Sequence, residues 1–208
     1  MKKRKLFFIF IPIILFIMLA ICVNAGLSVN FEGWAYNEAT EKMSPLITTF
    51  MKLTTHTGDA AVVILFCLFL FLIERARKAI SIPVSITVIS AATLNFILKN
   101  AFARERPDIL RLINETDYSF PSGHAMNNAA LYTILTILTF KYIKSKPKRI
   151  TLTIISVYLV LAIGFSRLYL GVHYAGDVIG GWLLGFLVAL VVYYWWSARV
   201  TKKTGNDV

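Results

Sequence analysis

Two histidines in this chain stand in patterns that suit phosphoryl chemistry. In the segment 166–177, His173 precedes Asp177 by four residues, so both side chains share one face if the segment is helical. A carboxylate that accepts one imidazole N–H fixes the tautomer and leaves the other ring nitrogen free to attack. The spacing predicts a nucleophilic histidine with an orienting carboxylate; an ion pair at a membrane surface is the plain alternative.

The second histidine, His124, ends a Pro-Ser-Gly-His run before a long apolar stretch, which is a helix-start signal. Ser122 can cap this helix, and Gly123 lets the backbone approach a ligand closely. The first N–H groups of a helix have no internal partner and the helix dipole adds positive charge there, so both features favour a phosphate. A plain helix cap with an interfacial histidine is the alternative.

Three cations accompany the two histidines. Lys99 supplies a point charge, whereas Arg106 and Arg167 supply forks that match phosphate oxygens. Snorkelling at a membrane interface explains each of them when it is taken alone. Because two of only three histidines fall among these cations, the combination favours phosphoryl transfer without a metal or another cofactor.

The composition indicates where such a site must be built. Of the 208 residues, 57% are hydrophobic, against roughly 45–50% apolar residues in soluble domains, and the mean hydropathy is +0.68. A bilayer admits only helices or closed barrels, and the long unbroken apolar runs favour helices over alternating strands. We therefore expect an all-α polytopic membrane protein, with residues 1–208 in one domain.

Six apolar runs predict six transmembrane helices, at about 6–23, 57–73, 79–98, 124–142, 150–165 and 176–196. The first run follows a basic cluster, as in a signal peptide, but it is longer than the usual apolar region of ~7–15 residues, which favours a retained span. The stretch between the first two runs is too polar to cross a bilayer, and we expect short interfacial helices there.

The net charge of +11 comes from Lys and Arg residues that flank the apolar runs, so it indicates topology rather than nucleic-acid binding. Most of these residues lie on one side if both termini are cytoplasmic, in agreement with the positive-inside rule. The histidine segments then lie on the extracytoplasmic face of a cell membrane. Cys22 and Cys67 sit inside apolar runs, which argues against a disulfide and against a zinc site.

Taken together, the segments resemble the signature of the type-2 phosphatidic acid phosphatase family, the lipid phosphate phosphatases. That signature is Lys-x6-Arg-Pro, then Pro-Ser-Gly-His, then Ser-Arg-x5-His-x3-Asp, and every position is matched in order. The matching residues are Lys99, Arg106, Pro107, Pro121, Ser122, Gly123, His124, Ser166, Arg167, His173 and Asp177. The six-span plan extends the resemblance over nearly the whole chain.

The resemblance implies a role for each residue. His173 would take the phosphoryl group as phosphohistidine, Asp177 would orient it, and His124 would protonate the leaving group and then activate water. The cradle for the phosphate oxygens would be Lys99, Arg106, Ser122, Gly123 and Arg167. The family does not require Mg²⁺, so no metal and no cofactor are expected.

The resemblance is closest to compact bacterial members, phosphatidylglycerophosphatase B and undecaprenyl-diphosphate phosphatase. Phosphatidylglycerophosphate is the favoured substrate; undecaprenyl diphosphate and phosphatidic acid are alternatives. A non-catalytic lipid-binding protein or a transporter is a distant alternative, because both histidines and Asp177 are present and no paired repeat is seen. A vanadate haloperoxidase shares the signature but is soluble.

The expected partners are the lipid substrate and membrane lipids, without an obligatory protein partner.

Some polar residues have no assigned role in this reading. Arg104 either adds to the cradle or meets a lipid headgroup, and His56 is interpreted as an interfacial histidine. The acidic residues of the same loop are expected to be solvated or paired with Arg111; they are Glu105, Asp108, Glu115 and Asp117.

Overall fold

The computed structural model describes residues 2–74, 77–108 and 110–204, and in these residues the chain is helical, without a β-strand. A π-helical turn, Arg77–Ser81, precedes the fifth of the α-helices. The α-helices of the described residues are α1 Lys2–Asn24, α2 Val29–Thr40, α3 Pro45–His56, α4 Ala60–Leu72, α5 Ile82–Phe102, α6 Gly123–Tyr142, α7 Lys146–Tyr169 and α8 Ala175–Thr204. The predicted all-α class is confirmed.

Four segments are long and apolar enough to cross a bilayer. They are Leu6–Asn24, Ala79–Phe102, Lys146–Tyr169 and Ala175–Val200. A fifth span results if α3 and α4, which meet at 47°, are counted as one broken helix. At 13 residues, α4 is only about 20 Å long, too short for a hydrocarbon core of about 30 Å. The two short helices expected after the first span are found as α2 and α3.

The predicted number of six spans is not confirmed, because α6 does not reach the apolarity of a lipid-facing helix. Its first turns carry Asn127 and Asn128. The helix lies between α5, α7 and α8 in the centre of the bundle, where side chains meet protein rather than lipid. A helix in that position does not have to be apolar on every face.

Glycines bring α8 into close contact with α6. A Cβ atom on Gly181 would lie 2.7 Å from the carbonyl oxygen of Ser122, and one on Gly185 would lie 2.3 Å from that of Met126. Small residues at such positions let helix backbones approach closely within a membrane. The backbone N–H of Ser122 also donates to the carbonyl oxygen of Asp177 at 3.0 Å. The starts of α6 and α8 are therefore held against each other.

Aromatic packing closes the bundle beneath the long loop between α5 and α6. Phe120, fully buried in that loop, stacks on Phe16 of α1 with ring centroids 5.6 Å apart. Phe102, at the end of α5, meets Phe120 edge-on at 4.9 Å. These contacts attach the loop to α1 and α5.

The glycine contact predicts a stability difference between two alanine variants. Gly185→Ala should destabilise the fold by about 1–3 kcal/mol, because its methyl group has no space against α6. Gly33→Ala is the control, since nothing lies within 4 Å of its added Cβ. Thermal unfolding in detergent should show a lower midpoint for Gly185→Ala only; equal midpoints for both variants contradict the packing.

Candidate functional site

Four chain segments meet in a polar cavity of about 210 Å³ at one end of the bundle. These are the bend between α3 and α4, the end of α5 with the loop after it, the start of α6, and the end of α7 with the connection to α8. Six of the predicted site residues line the cavity: Lys99, Arg106, Gly123, His124, Arg167 and His173. The other two, Ser122 and Asp177, are fully buried. The structure thus brings together predicted site residues that lie up to 78 positions apart in sequence, from Lys99 to Asp177.

His173 lies between α7 and α8 and is 2% exposed. Its Nε2 atom is 3.1 Å from Nη1 of Arg106, and its Nδ1 atom is 3.4 Å from Oδ2 of Asp177. A guanidinium has only donors, so Nε2 must accept, and the ring proton of the neutral imidazole belongs on Nδ1. The nitrogen with a free electron pair therefore points towards the cationic side of the cavity.

Burial lowers the pKa of His173 to about 3, and the charges of Arg167 and Arg106 act in the same direction. The hydrogen bond and charge of Asp177 oppose this shift without overcoming it. A lowered pKa means that the imidazole is unprotonated at every pH above about 3. His173 therefore keeps a free electron pair over the whole physiological range, as a nucleophile requires.

Several donors hold the carboxylate of Asp177. Its Oδ2 atom accepts from the hydroxyl of Ser119 and, at 2.9 Å, from the backbone N–H of Tyr174. Its Oδ1 atom accepts from Arg104 at 2.6 Å. Since buried carboxylates must be paired, these contacts let Asp177 remain charged beside His173.

Arg104 has a structural position that the sequence did not reveal. Its guanidinium binds both carboxylate oxygens of Glu32 in α2, at 3.1 and 2.6 Å, as well as Asp177. It also lies 4.1 Å from the centre of the Tyr174 ring. Burial acts to lower the pKa of Arg104, but the two carboxylates outweigh it and the net pKa is raised. Arg104 therefore holds the Asp177 carboxylate by the oxygen that does not face His173. Glu32 is distant from these residues in sequence, and no motif indicated it.

The three predicted phosphate cations are each paired with a loop carboxylate. Lys99 Nζ lies 2.5 Å from Asp117, which also pairs with Arg106, and Arg167 pairs with Glu115. The expected pairing of these two acids with Arg111 is wrong, whereas the alternative that Asp117 is solvated agrees with its side chain, which is 57% exposed.

Glu115 and Asp117 line the polar cavity, while Arg111 donates to the carbonyl oxygen of Pro107 at 2.7 Å. Partial burial acts to raise the pKa of Asp117, but Lys99 and Arg106 outweigh it and the pKa falls to about 2. Both loop acids are therefore anions at neutral pH, and they bind the donors that a phosphate would use.

The start of α6 provides the remaining predicted groups. The hydroxyl of Ser122 accepts from the backbone N–H of Ala125 at 3.4 Å, which is the predicted cap. A Cβ on Gly123 would lie 3.0 Å from Oδ1 of Asn95, so a side chain there would press on α5. His124 follows on the first turn, with its Nε2 atom 2.9 Å from Oδ1 of Asp59.

Asp59 was not anticipated. It lies at the bend between α3 and α4, and its other oxygen is 2.9 Å from Nδ1 of His56. His56 is well exposed, as expected, but it forms this contact rather than standing alone. No local spacing relates Asp59 to His124, so only the folded chain brings the two together.

Comparison with known proteins places the chain in a family. The sequence profile of the PAP2 superfamily matches residues 80–201, a region that contains all the predicted site residues. The chain belongs to the PAP2 superfamily. This membership confirms the family predicted from the motifs.

Individual relatives agree with this assignment. Phosphatidylglycerophosphatase B of Bacillus subtilis is 44% identical over 101 residues, which is 48% of this chain and 49% of that protein. The chain therefore matches about half the length of this relative. An undecaprenyl-diphosphatase of Sulfolobus acidocaldarius is 29% identical over 218 residues, covering 96% of both chains.

A solved structure supports the fold. The crystal structure of a transmembrane PAP2-type phosphatidylglycerolphosphate phosphatase from Bacillus subtilis matches with a TM-score of 0.79 at 26% identity. The match covers 88% of this chain and 93% of that one. The predicted membrane fold and the predicted enzyme class, a phosphoric-ester hydrolase, are confirmed at the level of the family.

The low pKa of His173 can be measured directly. In protein labelled with ¹⁵N-histidine and held in detergent, the His173 ring should keep the shifts of a neutral imidazole from pH 8 down to pH 5. Its pKa of about 3 lies below that window, so protonation is not reached. His173→Gln identifies the signal by its loss. A titration of that signal with a midpoint near the ordinary value of about 6.5 contradicts the burial argument.

Proposed function

We propose that this chain hydrolyses the phosphate ester or diphosphate of a membrane lipid through a phosphohistidine on His173. The observation that carries the proposal is the hydrogen bond from Arg106 to the Nε2 atom of His173, whose Nδ1 atom faces Asp177. This arrangement places an unprotonated ring nitrogen, whose electron pair accepts from Arg106, among cations that attract phosphate oxygens.

The reaction has two displacement steps. Nε2 of His173 attacks phosphorus as the bond to the leaving oxygen breaks, and His124 gives that oxygen a proton. A water molecule then attacks the phosphohistidine and passes a proton to His124. The P–N bond breaks, phosphate leaves, and both histidines return to their starting states.

Charge stabilisation falls to the cations of the cavity. Lys99, Arg106 and Arg167 would bind the oxygens around phosphorus, where negative charge is spread during transfer. The start of α6 would add the backbone N–H groups capped by Ser122 and Gly123. Because Glu115 and Asp117 occupy these cations, the substrate phosphate must take their place, which is an exchange of one anion for another.

A lipid substrate is supported by a second cavity that also reaches His173. This cavity of about 350 Å³ is mostly apolar and lies between α2 and the segment after α7. Among its lining residues are Val29, Tyr36, Leu168 and Tyr174. A phosphate bound in the polar cavity would leave the apolar part of the molecule next to this space.

The favoured substrate is phosphatidylglycerophosphate, because the Bacillus subtilis relative and the solved structure are both phosphatases of that lipid by name. Undecaprenyl diphosphate is the second candidate, because the Sulfolobus acidocaldarius relative matches over 96% of its length.

Both termini are assigned to the cytoplasm and the site to the extracytoplasmic face, on the distribution of basic residues.

The nucleophile assignment predicts the behaviour of His173→Ala. Phosphate release in excess EDTA should fall by at least about 10³-fold, because no other group can take the phosphoryl group. The panel is phosphatidylglycerophosphate, undecaprenyl diphosphate and phosphatidic acid, and the order of wild-type kcat/KM identifies the preferred lipid. Release that survives His173→Ala, or that EDTA abolishes in the wild type, contradicts the mechanism.

The intermediate should be visible in His124→Ala with p-nitrophenyl phosphate. The p-nitrophenolate leaves without a proton, so the first step proceeds, whereas hydrolysis slows by about 10²-fold or more without the base. A phosphoenzyme that survives alkali and decays in acid should therefore accumulate on His173. The double variant, His124→Ala with His173→Ala, is the control and should carry no covalent phosphate. Covalent phosphate on that control refutes the assignment.

A further inference from the structure

The carboxylate of Asp59 lies between two histidines at the bend that joins α3 to α4. One oxygen is 2.9 Å from Nε2 of His124, and the other is 2.9 Å from Nδ1 of His56. Only the first of these histidines lines the polar cavity. The contact thus connects a segment outside the family signature to the histidine that the proposed reaction uses as acid and base.

The capping position of Asp59 indicates that its side chain serves this contact. It stands at the N-cap of α4 with extended backbone angles, yet its carboxylate makes no capping hydrogen bond. An aspartate at this position ordinarily accepts from the second or third N–H of the helix, which stabilises the helix. Here both oxygens face histidines instead, so the carboxylate does not cap α4 and contacts His124 of α6.

The backbone around Asp59 is fixed to the helix that carries His124. Asn128 donates to the carbonyl oxygen of Gly58 at 3.1 Å and to that of His124 at 2.9 Å. A Cβ on Gly58 would lie 2.7 Å from the Asn128 amide and 2.8 Å from Ile163. The bend is therefore packed directly against α6 and α7, and the position of Asp59 follows from it.

We propose that Asp59 is a positioning residue that orients His124 and holds it as the imidazolium that protonates the leaving oxygen. The inference rests on the proposed function, because it assigns a partner to the acid of that reaction. Asp59 itself neither gains nor loses a proton in the cycle. The proton passes from His124 to the leaving oxygen, and His124 takes one back from the attacking water.

The need for such a partner comes from the charges around His124. Burial lowers the pKa of His124 and the charge of Arg167 in α7 acts in the same direction, whereas the hydrogen bond to Asp59 and the charges of Glu115 and Asp59 oppose this shift. The other charged or titratable groups that line the same cavity come from α5, the loop and the α7–α8 connection: Lys99, Arg106, Asp117 and His173. When the substrate phosphate displaces Glu115, Asp59 remains as the carboxylate in direct contact with His124.

The decisive variant is Asp59→Asn, which keeps the shape and removes the charge. With a lipid substrate, the alkaline limb of the kcat–pH profile should move to lower pH by about one unit or more, because the imidazolium loses its partner. At pH 8 kcat should fall about 10- to 100-fold with KM changed by less than about threefold. Asp59→Glu should recover part of the wild-type profile, and Asp108→Asn, an exposed aspartate of the long loop, should leave it unchanged.

The leaving group separates acid positioning from a general loss of structure. With p-nitrophenyl phosphate the first step needs no acid, so the rate of phosphoenzyme formation should differ by less than about threefold between Asp59→Asn and the wild type. Equal losses of this rate for the lipid and the aryl substrate overturn the inference, as does an unshifted pH profile. If Asp59→Asn does not purify folded, Asp59→Ser, which also removes the charge at this N-cap position, takes its place, and an unshifted pH profile in that variant overturns the inference in the same way.

His173→Ala measured in parallel keeps the two hypotheses apart. If His173→Ala is inactive while Asp59→Asn retains the wild-type profile, the role of Asp59 fails and the phosphohistidine mechanism stands. If His173→Ala stays active, the proposed function fails whatever Asp59 does.

Discussion

The site is organised around one buried carboxylate. Asp177 is inaccessible to solvent, so it can stay ionised only if donors replace the water it lost. Those donors come from the α5–α6 loop and from the α7–α8 connection: Arg104, Ser119, His173 and the backbone of Tyr174. Through Arg104 the same network reaches Glu32 in α2. Satisfying one anion therefore fixes the orientation of His173 and ties three parts of the chain together.

The surrounding cations face the opposite problem. Lys99 and Arg167 are almost fully buried, and cations in such a position need anions whether or not a substrate is bound. Asp117 and Glu115 fill that need in the structure. Since both are carried by a loop rather than by a helix, they can be replaced by phosphate without disturbing the bundle. The loop acids thus neutralise these buried cations in the structure.

The sequence identified the motif residues because their spacing is local: His173 and Asp177 are four residues apart, with His173 just before α8 and Asp177 in its first turn, and Ser122 caps its own helix. It also predicted the all-α membrane class from composition. It missed Asp59 and Glu32, whose partners are distant in sequence, and it paired the loop acids with the wrong arginine. The apolar run at 124–142 was interpreted as an ordinary span. Composition does not distinguish contact with protein from contact with lipid, and α6 packs against α5, α7 and α8.

The close contact between α6 and α8 has a consequence for how loss-of-function data should be interpreted. Any side chain at Gly181 would push on the carbonyl of Ser122, one residue before the glycine of the phosphate cradle. A random mutagenesis screen would therefore recover this glycine beside the histidines, although it never meets the lipid. Loss of activity alone would not distinguish residues that hold the helices together from residues proposed to act on the substrate. Measurements of folding would distinguish the two groups.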